Sequence, residues 1–327
     1  MGHLPKQAIE VIAPSRLHFG LLSFGNNSPR QFGGAGVMID QPFTMLRITL
    51  SDRFEAAGAL QHRVVDYSNR WAQFYGVTKP ECRIEVMSVP PQHVGLGVGT
   101  QLGLAVAAGL AAFVAMPMPS PTELAMGVGR GLRSAVGTYG FAEGGFVVEG
   151  GKRLREPISP LDCRLEIPGE WRFVLICPQF EEGLSGSSEE GAFGSLPDVP
   201  VEITNRLQQE LRASMVPAIA RGNFDEFSES VYRYGRLSGS CFAKQQGGAY
   251  NGPVLTDIVE TVRSLGTHGV GQSSWGPTIY SIARNQSDAK KLVAKIEKVY
   301  SRRTHSLWIA KPSNHGVQIN KLSCAGE

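Results

Sequence analysis

The chain has few cysteines, and none at a spacing that suggests a metal site or a disulfide framework. The five (Cys82, Cys163, Cys177, Cys241 and Cys324) are odd in number and far apart, with no C-x-x-C pair. No H-x-x-x-H occurs either, so neither a disulfide scaffold nor a structural zinc site is indicated. Long apolar runs are also missing. The best, residues 102–116, is interrupted by glycines and falls short of the ~20 residues a spanning helix needs. The opening M-G-H-L-P-K-Q lacks the apolar core of a signal peptide, so a cytoplasmic protein is expected. Net charge is only +3 and the arginines are scattered, which gives no footprint for nucleic acid. A small anionic substrate accounts for the mild excess more economically. No internal repeat or low-complexity segment stands out.

What is present is a substantial globular chain. With 327 residues, 42% hydrophobic and 19% charged, it has room for two ordinary domains or one large one. Short apolar runs at 8–13, 17–23 and 43–50 read as strands, with a polar, glycine-containing loop at 25–36 between them. An apolar strand at 83–89 leads to an Ala/Leu/Val helix over about 100–115. Ser120-Pro121-Thr122-Glu123 forms a capping box with proline at the first helical position, and that helix runs to about 130–133. A strand follows at 146–149. Texture then shifts to proline, charge and turn residues over 152–170, which places a boundary between domains 1–165 and 166–327. The second half reads as a strand at 171–177, a polar loop at 181–194 and helices at 201–221, 223–237, 253–265 and 288–299, the last behind Ser287. Strands are expected at 278–283, 306–310 and 316–320. This mixed order implies an α+β protein, each half a sheet backed by helices.

The most informative stretch is V-P-P-Q-H-V-G-L-G-V-G-T-Q-L, residues 89–102, with glycines alternating at Gly95, Gly97 and Gly99. Glycine lets backbone turn tightly and approach a ligand closely. The helix that follows offers unpaired N–H groups and a positive dipole end to an anion. A P-loop would need lysine after its last glycine, and none is there. A dinucleotide fingerprint started from Gly95 or Gly97 would end on Thr100 or Leu102, which also fails. Two readings stay open: a phosphate or pyrophosphate cradle formed by Gly95, Leu96, Gly97, Val98, Gly99, Thr100 and Gln101, or a helix start that needs close packing. Gly103 and Gly109, inside the helix, already point to close packing there.

Three stretches together resemble the GHMP kinase superfamily. A-P-S-R-L-H-F-G at 13–20 is similar to its first motif, P-Q-H-V-G-L-G-V-G at 91–99 to its second, and G-V-G-Q-S-S-W-G-P-T at 269–278 sits where its third belongs. The resemblance implies a two-domain fold: a ribosomal-protein-like N-terminal domain and a ferredoxin-like C-terminal domain, with the site in the cleft. Kinases of this kind usually read G-L-G-S-S, and here Val98 and Gly99 replace the two serines. They often carry an aspartate seven residues before a G-G pair, and here that position is Gly137. Adding G-R-G-x-R-S-A-V-G-T-Y-G-F-x-x-G-G-F, the pattern is similar to the β-ribofuranosylaminobenzene 5′-phosphate synthase family of methanopterin biosynthesis. That resemblance implies condensation of phosphoribosyl pyrophosphate with 4-aminobenzoate or 4-hydroxybenzoate, releasing CO2 and pyrophosphate. No phosphoryl group moves, so the missing aspartate is expected. Two alternatives are an ATP-dependent small-molecule kinase and a non-catalytic sugar-phosphate or nucleotide binder.

The implied reaction needs a pyrophosphate cradle, cations for the 5′-phosphate and the carboxylate, and groups that stabilise developing charge. Arg16 and Arg133 are the candidate anion clamps, because guanidinium matches such groups in bidentate fashion. His18 shares a strand face with Arg16 and could hydrogen-bond substrate or transfer a proton. Ser15 and Ser134 are candidate phosphate donors. Glu143, in the turn before Gly144-Gly145, is the carboxylate to test for Mg2+, the cofactor the resemblance implies. Gln272, Ser273 and Ser274 could form a second anion nest, and Trp275 could stack on an aromatic substrate. Glu189, Glu190 and the turn at Gln245-Gln246-Gly247-Gly248 are weaker candidates. Ion pairing, solvated turns or core burial are the structural alternatives for each. A homodimer is a family-level expectation.

Overall fold

The computed structural model describes residues 7–179, 196–300 and 305–323. Two antiparallel-rich sheets and their helices share a continuous core. The first half opens with two long strands, β1 (Gln7–Ser23) and β2 (Phe32–Leu50), paired along nearly their whole lengths with register shifts at Ser15 and Gly20. Strand β1 had read as two short runs, because the polar P-S-R break hides a continuous strand, and of β2 only the run at 43–50 was expected. The loop expected at 25–36 is correspondingly shorter, since residues 32–36 already belong to β2.

Strand β2 forks. Its later half pairs with β4 (Cys82–Ser88), which in turn pairs in parallel with β3 (Glu55–Gly58). Its early half pairs with β5 (Phe146–Glu149), which carries β6 (Leu161–Leu165). Strand β6 lies in the stretch whose charge and proline had read as linker. Behind this sheet pack α1 (Gln61–Tyr75), α2 (Val98–Phe113), α3 (Pro121–Gly127) and α4 (Val136–Glu143). Helices α1 and α4 lacked a clear sequence signal. Helix α3 starts at the expected capping box and stops at Gly127, earlier than expected. Helix α2 is buried almost all round, and its glycines are contact points. A Cβ on Gly109 would come within 2.7 Å of Ile48.

The second sheet runs β10–β7–β9–β8, from β7 (Arg172–Pro178), β8 (Val270–Gln272), β9 (Ile279–Ala283) and β10 (His305–Ala310). Its helices are α5 (Val201–Gln209), continued by a π-helical stretch (Glu210–Met215) into α6 (Val216–Ala220), then α7 (Phe224–Ser240), the short α8 (Ala243–Gln246), α9 (Gly252–Ser264) and α10 (Gln286–Val299). Asn285, not Ser287, caps α10, its side chain accepting from the Asp288 amide. The boundary drawn at 165/166 falls between β6 and β7. The chain then crosses back, because β11 (Gln318–Ser323) pairs with β1 in the first sheet. The expected 181–194 loop, with Glu189 and Glu190, lies outside the described residues.

One apolar cluster joins the halves. Leu17 and Phe19 of β1, Val37 of β2, Phe173 of β7, Phe227 and Tyr234 of α7 and Tyr280 of β9 are all buried in it. The cleft therefore stands on a common floor. None of the four described cysteines is in a disulfide, and no described helix is long and apolar enough to cross a membrane.

Candidate active site

The glycine loop alternates with period two. Val94, Leu96 and Val98 are buried in the cluster between the sheets, while Gly95, Gly97 and Gly99 are half-exposed. Apolar side chains thus anchor the loop, while an added Cβ at Gly97 would meet Arg16, one at Gly99 Arg130, and one at Gly95 the Ser273 carbonyl. Gly97 is the N-cap of α2 at φ +74°, a left-handed conformation that favours glycine. Its carbonyl accepts from the amides of Thr100 and Gln101, and no side chain caps this helix or places an acid in its first turn. That is the arrangement of a helix end open to an anion.

Around this end lies a cavity of about 240 Å³ lined by Gly95, Leu96, Gly97, Val98, Gly99 and Thr100 together with Arg63, His93 and Arg130. Beyond Thr100 and Arg130, which line both, lies a larger cavity of about 430 Å³. Arg16, His18, Arg133, Ser134, Gln272, Ser274 and Trp275 all line it. Residues scattered from 16 to 275 therefore meet at one place. Among the described residues that line it, Arg16, Arg70, Arg130 and Arg133 stand with one carboxylate, Asp66, which Arg70 holds at 3.0 Å. At the far side Trp275 packs edge-on against Phe242, ring centroids 5.1 Å apart, so that wall is aromatic.

Arg130 was not singled out from the sequence, though it stands in the quoted G-R-G-x-R-S motif. Its guanidinium donates to the Tyr67 hydroxyl, which donates to the Gly99 carbonyl at 2.9 Å. The strand that carries Arg16 is tied to the loop as well, the Arg16 amide donating to the Leu96 carbonyl at 3.1 Å.

Several candidates take other roles. Ser273 is fully buried and bonds only within the protein: its hydroxyl donates to the Gly95 carbonyl and accepts from the His18 amide. It joins the three motifs and offers nothing to a ligand. Ser15 points away, donating to the Pro42 carbonyl. Gln101 is buried and donates to the Gly137 carbonyl at 2.9 Å, tying α2 to α4 and leaving neither cavity with its amide. Gln272 lines the cavity but spends its amide on Asn251 and Ser274. Gln246 of the late turn does line the cavity.

Glu143 is corrected more sharply. It is exposed at the end of α4, outside both cavities, and its carbonyl accepts from Arg164. No group of three or more His, Cys, Asp or Glu side chains that could hold a metal ion occurs among the described residues. A magnesium ion held mainly by substrate phosphates and water would need no such group.

Glu149, which the sequence did not flag, is the second surprise. It is fully buried on β5, accepting from the Ser134 hydroxyl at 2.6 Å and the Ala135 amide at 2.7 Å. Ser134 lies 3.1 Å from His18 Nε2. Burial pushes the Glu149 carboxyl above its ordinary value, against those hydrogen bonds. Burial, and then the Arg16 charge, hold His18 well below its ordinary value, so the ring is neutral near pH 7. Only a buried acid whose partner lies 15 residues away in sequence could have signalled this chain of contacts.

Two sheets sharing a floor, with an uncapped helix end at a glycine loop in the cleft, define a protein of the GHMP kinase type. The GHMP kinase C-terminal family model matches residues 215–302. Mevalonate pyrophosphate decarboxylase from Streptococcus pyogenes superposes with a TM-score of 0.71 at 12% identity, over 96% of this chain and 99% of that one. The complex of MDDEF with MVAPP, AMPPCP and magnesium superposes at 0.66, with 14% identity over 96% and 99% of the chains. Within that class, β-ribofuranosylphenol 5′-phosphate synthase from Methanothermobacter thermautotrophicus is 31% identical over 84% of this chain and 89% of its own. The Archaeoglobus fulgidus enzyme of the same name is 28% identical over 95% and 99%. The chain belongs to the β-ribofuranosylphenol 5′-phosphate synthase family, a family of enzymes.

Proposed function

We propose that this protein condenses phosphoribosyl pyrophosphate with a 4-substituted benzoate, releasing CO2 and pyrophosphate. The observation that carries the reading is the pair of adjoining cavities that share Thr100 and Arg130. A sugar bearing phosphates at two positions needs two cationic sites in contact, and a single-phosphate ligand would not. The phenol in the relatives' name favours 4-hydroxybenzoate over 4-aminobenzoate as acceptor.

In this reading the pyrophosphate lies on the glycine-loop amides beside Arg130 and Arg63. Arg16 and Arg133 hold the 5′-phosphate and the benzoate carboxylate, and Phe242 and Trp275 wall the ring. Magnesium carried in by the pyrophosphate would offset the phosphate charge beside Arg63 and Arg130. The ring carbon bearing the carboxylate attacks the anomeric carbon, and the C–O bond to pyrophosphate breaks with its electron pair leaving on oxygen. The 4-substituent donates electron density to the ring. Loss of CO2 then returns the C–C bonding pair and restores aromaticity. The carbon nucleophile needs no base to take an acceptor proton, consistent with Gly137 where the related kinases often place aspartate.

The test is incubation with phosphoribosyl pyrophosphate, Mg2+ and carboxyl-labelled benzoates. One labelled CO2 per pyrophosphate, independent of ATP, is expected. ATP-dependent phosphorylation of a small alcohol without CO2 would assign the site to a kinase instead.

A further inference from the structure

A buried acid with no ion-pair partner costs stability unless something holds it. Glu149 is fully buried, its Oε1 accepting from the Ser134 hydroxyl and its Oε2 from the Ala135 amide, with the Ser159 hydroxyl and the Val136 amide also favouring its charged form. A serine hydroxyl has a single proton. If that proton is given to Glu149, Ser134 can only accept from its other neighbours. One of these is the Val136 amide at 3.3 Å, and the other is His18 Nε2 at 3.1 Å. A neutral imidazole also has one ring proton, and it must then sit on Nε2. The Nδ1 lone pair is left as the ring's acceptor.

We infer that Glu149 is a positioning residue that, through Ser134, fixes His18 as the Nε2–H tautomer in the larger cavity. Glu149 lines neither cavity. It decides which nitrogen of a cavity-lining ring can accept a proton or a hydrogen bond, much as outer groups orient catalytic and metal-bound histidines elsewhere. The use of that lone pair toward the benzoate rests on the function proposed above. The tautomer itself does not.

Glu149→Gln makes a sharp test, because the Ala135 amide must still find an acceptor. The new amide's oxygen turns to Ala135 and its NH2 to Ser134. Ser134 then directs its own proton to His18 Nε2, and the ring must carry its proton on Nδ1. In the full-length protein labelled with 15N-histidine, long-range 1H–15N spectra distinguish the two tautomers. The His18 signal is assigned by its loss in His18→Asn. The expected result is Nε2–H in the wild type, Nδ1–H in Glu149→Gln and a mixture in Ser134→Ala. Wild-type His18 found as Nδ1–H, or Glu149→Gln left as Nε2–H, would overturn the proposal. If Glu149→Gln does not fold, Ser134→Ala decides: an unshifted, pure Nε2–H signal there also overturns it. These spectra are taken without substrate, so a failure of the proposed reaction leaves them readable. Where the reaction holds, kcat should fall in Glu149→Gln while KM for phosphoribosyl pyrophosphate stays put.

Discussion

The Ser273 hydroxyl donates to the Gly95 carbonyl at 2.7 Å, across 178 residues of sequence. The same oxygen accepts from the His18 amide at 3.1 Å. One buried side chain therefore joins the first strand, the glycine loop and the late loop. Backbone closeness goes with it, since a Cβ on Gly95 would lie 2.1 Å from the Ser273 carbonyl and one on Gly276 2.1 Å from the Gly95 amide. Some of the glycines that read as a ligand cradle thus serve loop-on-loop packing. Of the two readings left open by the motif, close packing is realised at Gly95; the anion cradle belongs to the proposed function.

Ser273→Ala should accordingly act on stability before chemistry. It leaves the buried His18 amide and the half-exposed Gly95 carbonyl without their partner, a loss of about 1–3 kcal/mol. Urea unfolding should show a lower midpoint with an unchanged slope. A variant as stable as the wild type would mean that the loops are held by other contacts.

Gly97→Ala separates loop conformation from loop fold. At φ +74° an alanine costs roughly 1–2 kcal/mol. Its Cβ would also meet Arg16 Cβ and Nε at 3.3 Å, tight enough to push that side chain aside. Binding of phosphoribosyl pyrophosphate, followed by calorimetry, should weaken more than the folding midpoint falls. Unchanged binding would remove both the loop and Arg16 from the substrate site.

Arg16→Lys keeps the charge and loses the planar fork. If the guanidinium grips a phosphate or carboxylate, about 1.5–3 kcal/mol goes with it, roughly a ten- to hundred-fold drop in kcat/KM. Steady-state kinetics indistinguishable from wild type would make Arg16 a structural residue.

Gly137→Asp restores the carboxylate that related kinases carry. Gly137 has room for it at modest strain: an added Cβ would lie 3.3 Å from Gln101 Nε2 and 3.9 Å from Arg16 Nε. The new carboxylate would compete with substrate for Arg16 and should cut kcat/KM about tenfold or more. Improved CO2 release would contradict the assignment of Arg16 to substrate.

The pH dependence of stability follows from His18. Its folded-state value lies well below the 6.5 expected of an exposed histidine. Between those two values the unfolded chain binds more protons than the folded one. The His18 contribution to stability then rises with pH through that window and falls as pH drops below about 6.5. His18→Asn removes the effect and leaves Glu149 in both proteins. The stability difference, wild type minus variant, measured by urea between pH 5 and 7.5, should shrink as pH falls. A difference that stays flat would place His18 in a more solvated setting.

Much was legible in the order of residues. Alternating glycines after a strand, the Ser120–Glu123 capping box and the apolar helix after the loop all depend on neighbours within a few positions, where propensity and periodicity act directly. Arg16, His18, Arg133 and Trp275 were also legible, because motifs keep chemistry-bearing residues in short strings. Strands β3 and β6 and helices α1 and α4 were less so. They are short or amphipathic without sharp caps, and tertiary packing supplies most of their stability.

By itself the sequence determined the local pieces: a glycine-punctuated loop, an uncapped helix start behind it and arginines in two of the motifs. Local backbone preference and hydrophobic period are properties of neighbouring residues, so they survive without a fold. Only the tertiary structure decided which of those groups share a cavity. It buried Ser273 and Gln101 in hydrogen bonds to other loops, left Glu143 in solvent and set Arg130 between two cavities. It also set Glu149 behind Ser134 and His18. Desolvation and hydrogen-bond satisfaction depend on what surrounds an atom in space. For these residues the surroundings come from strands and helices far away in the chain, and a linear pattern carries no record of them.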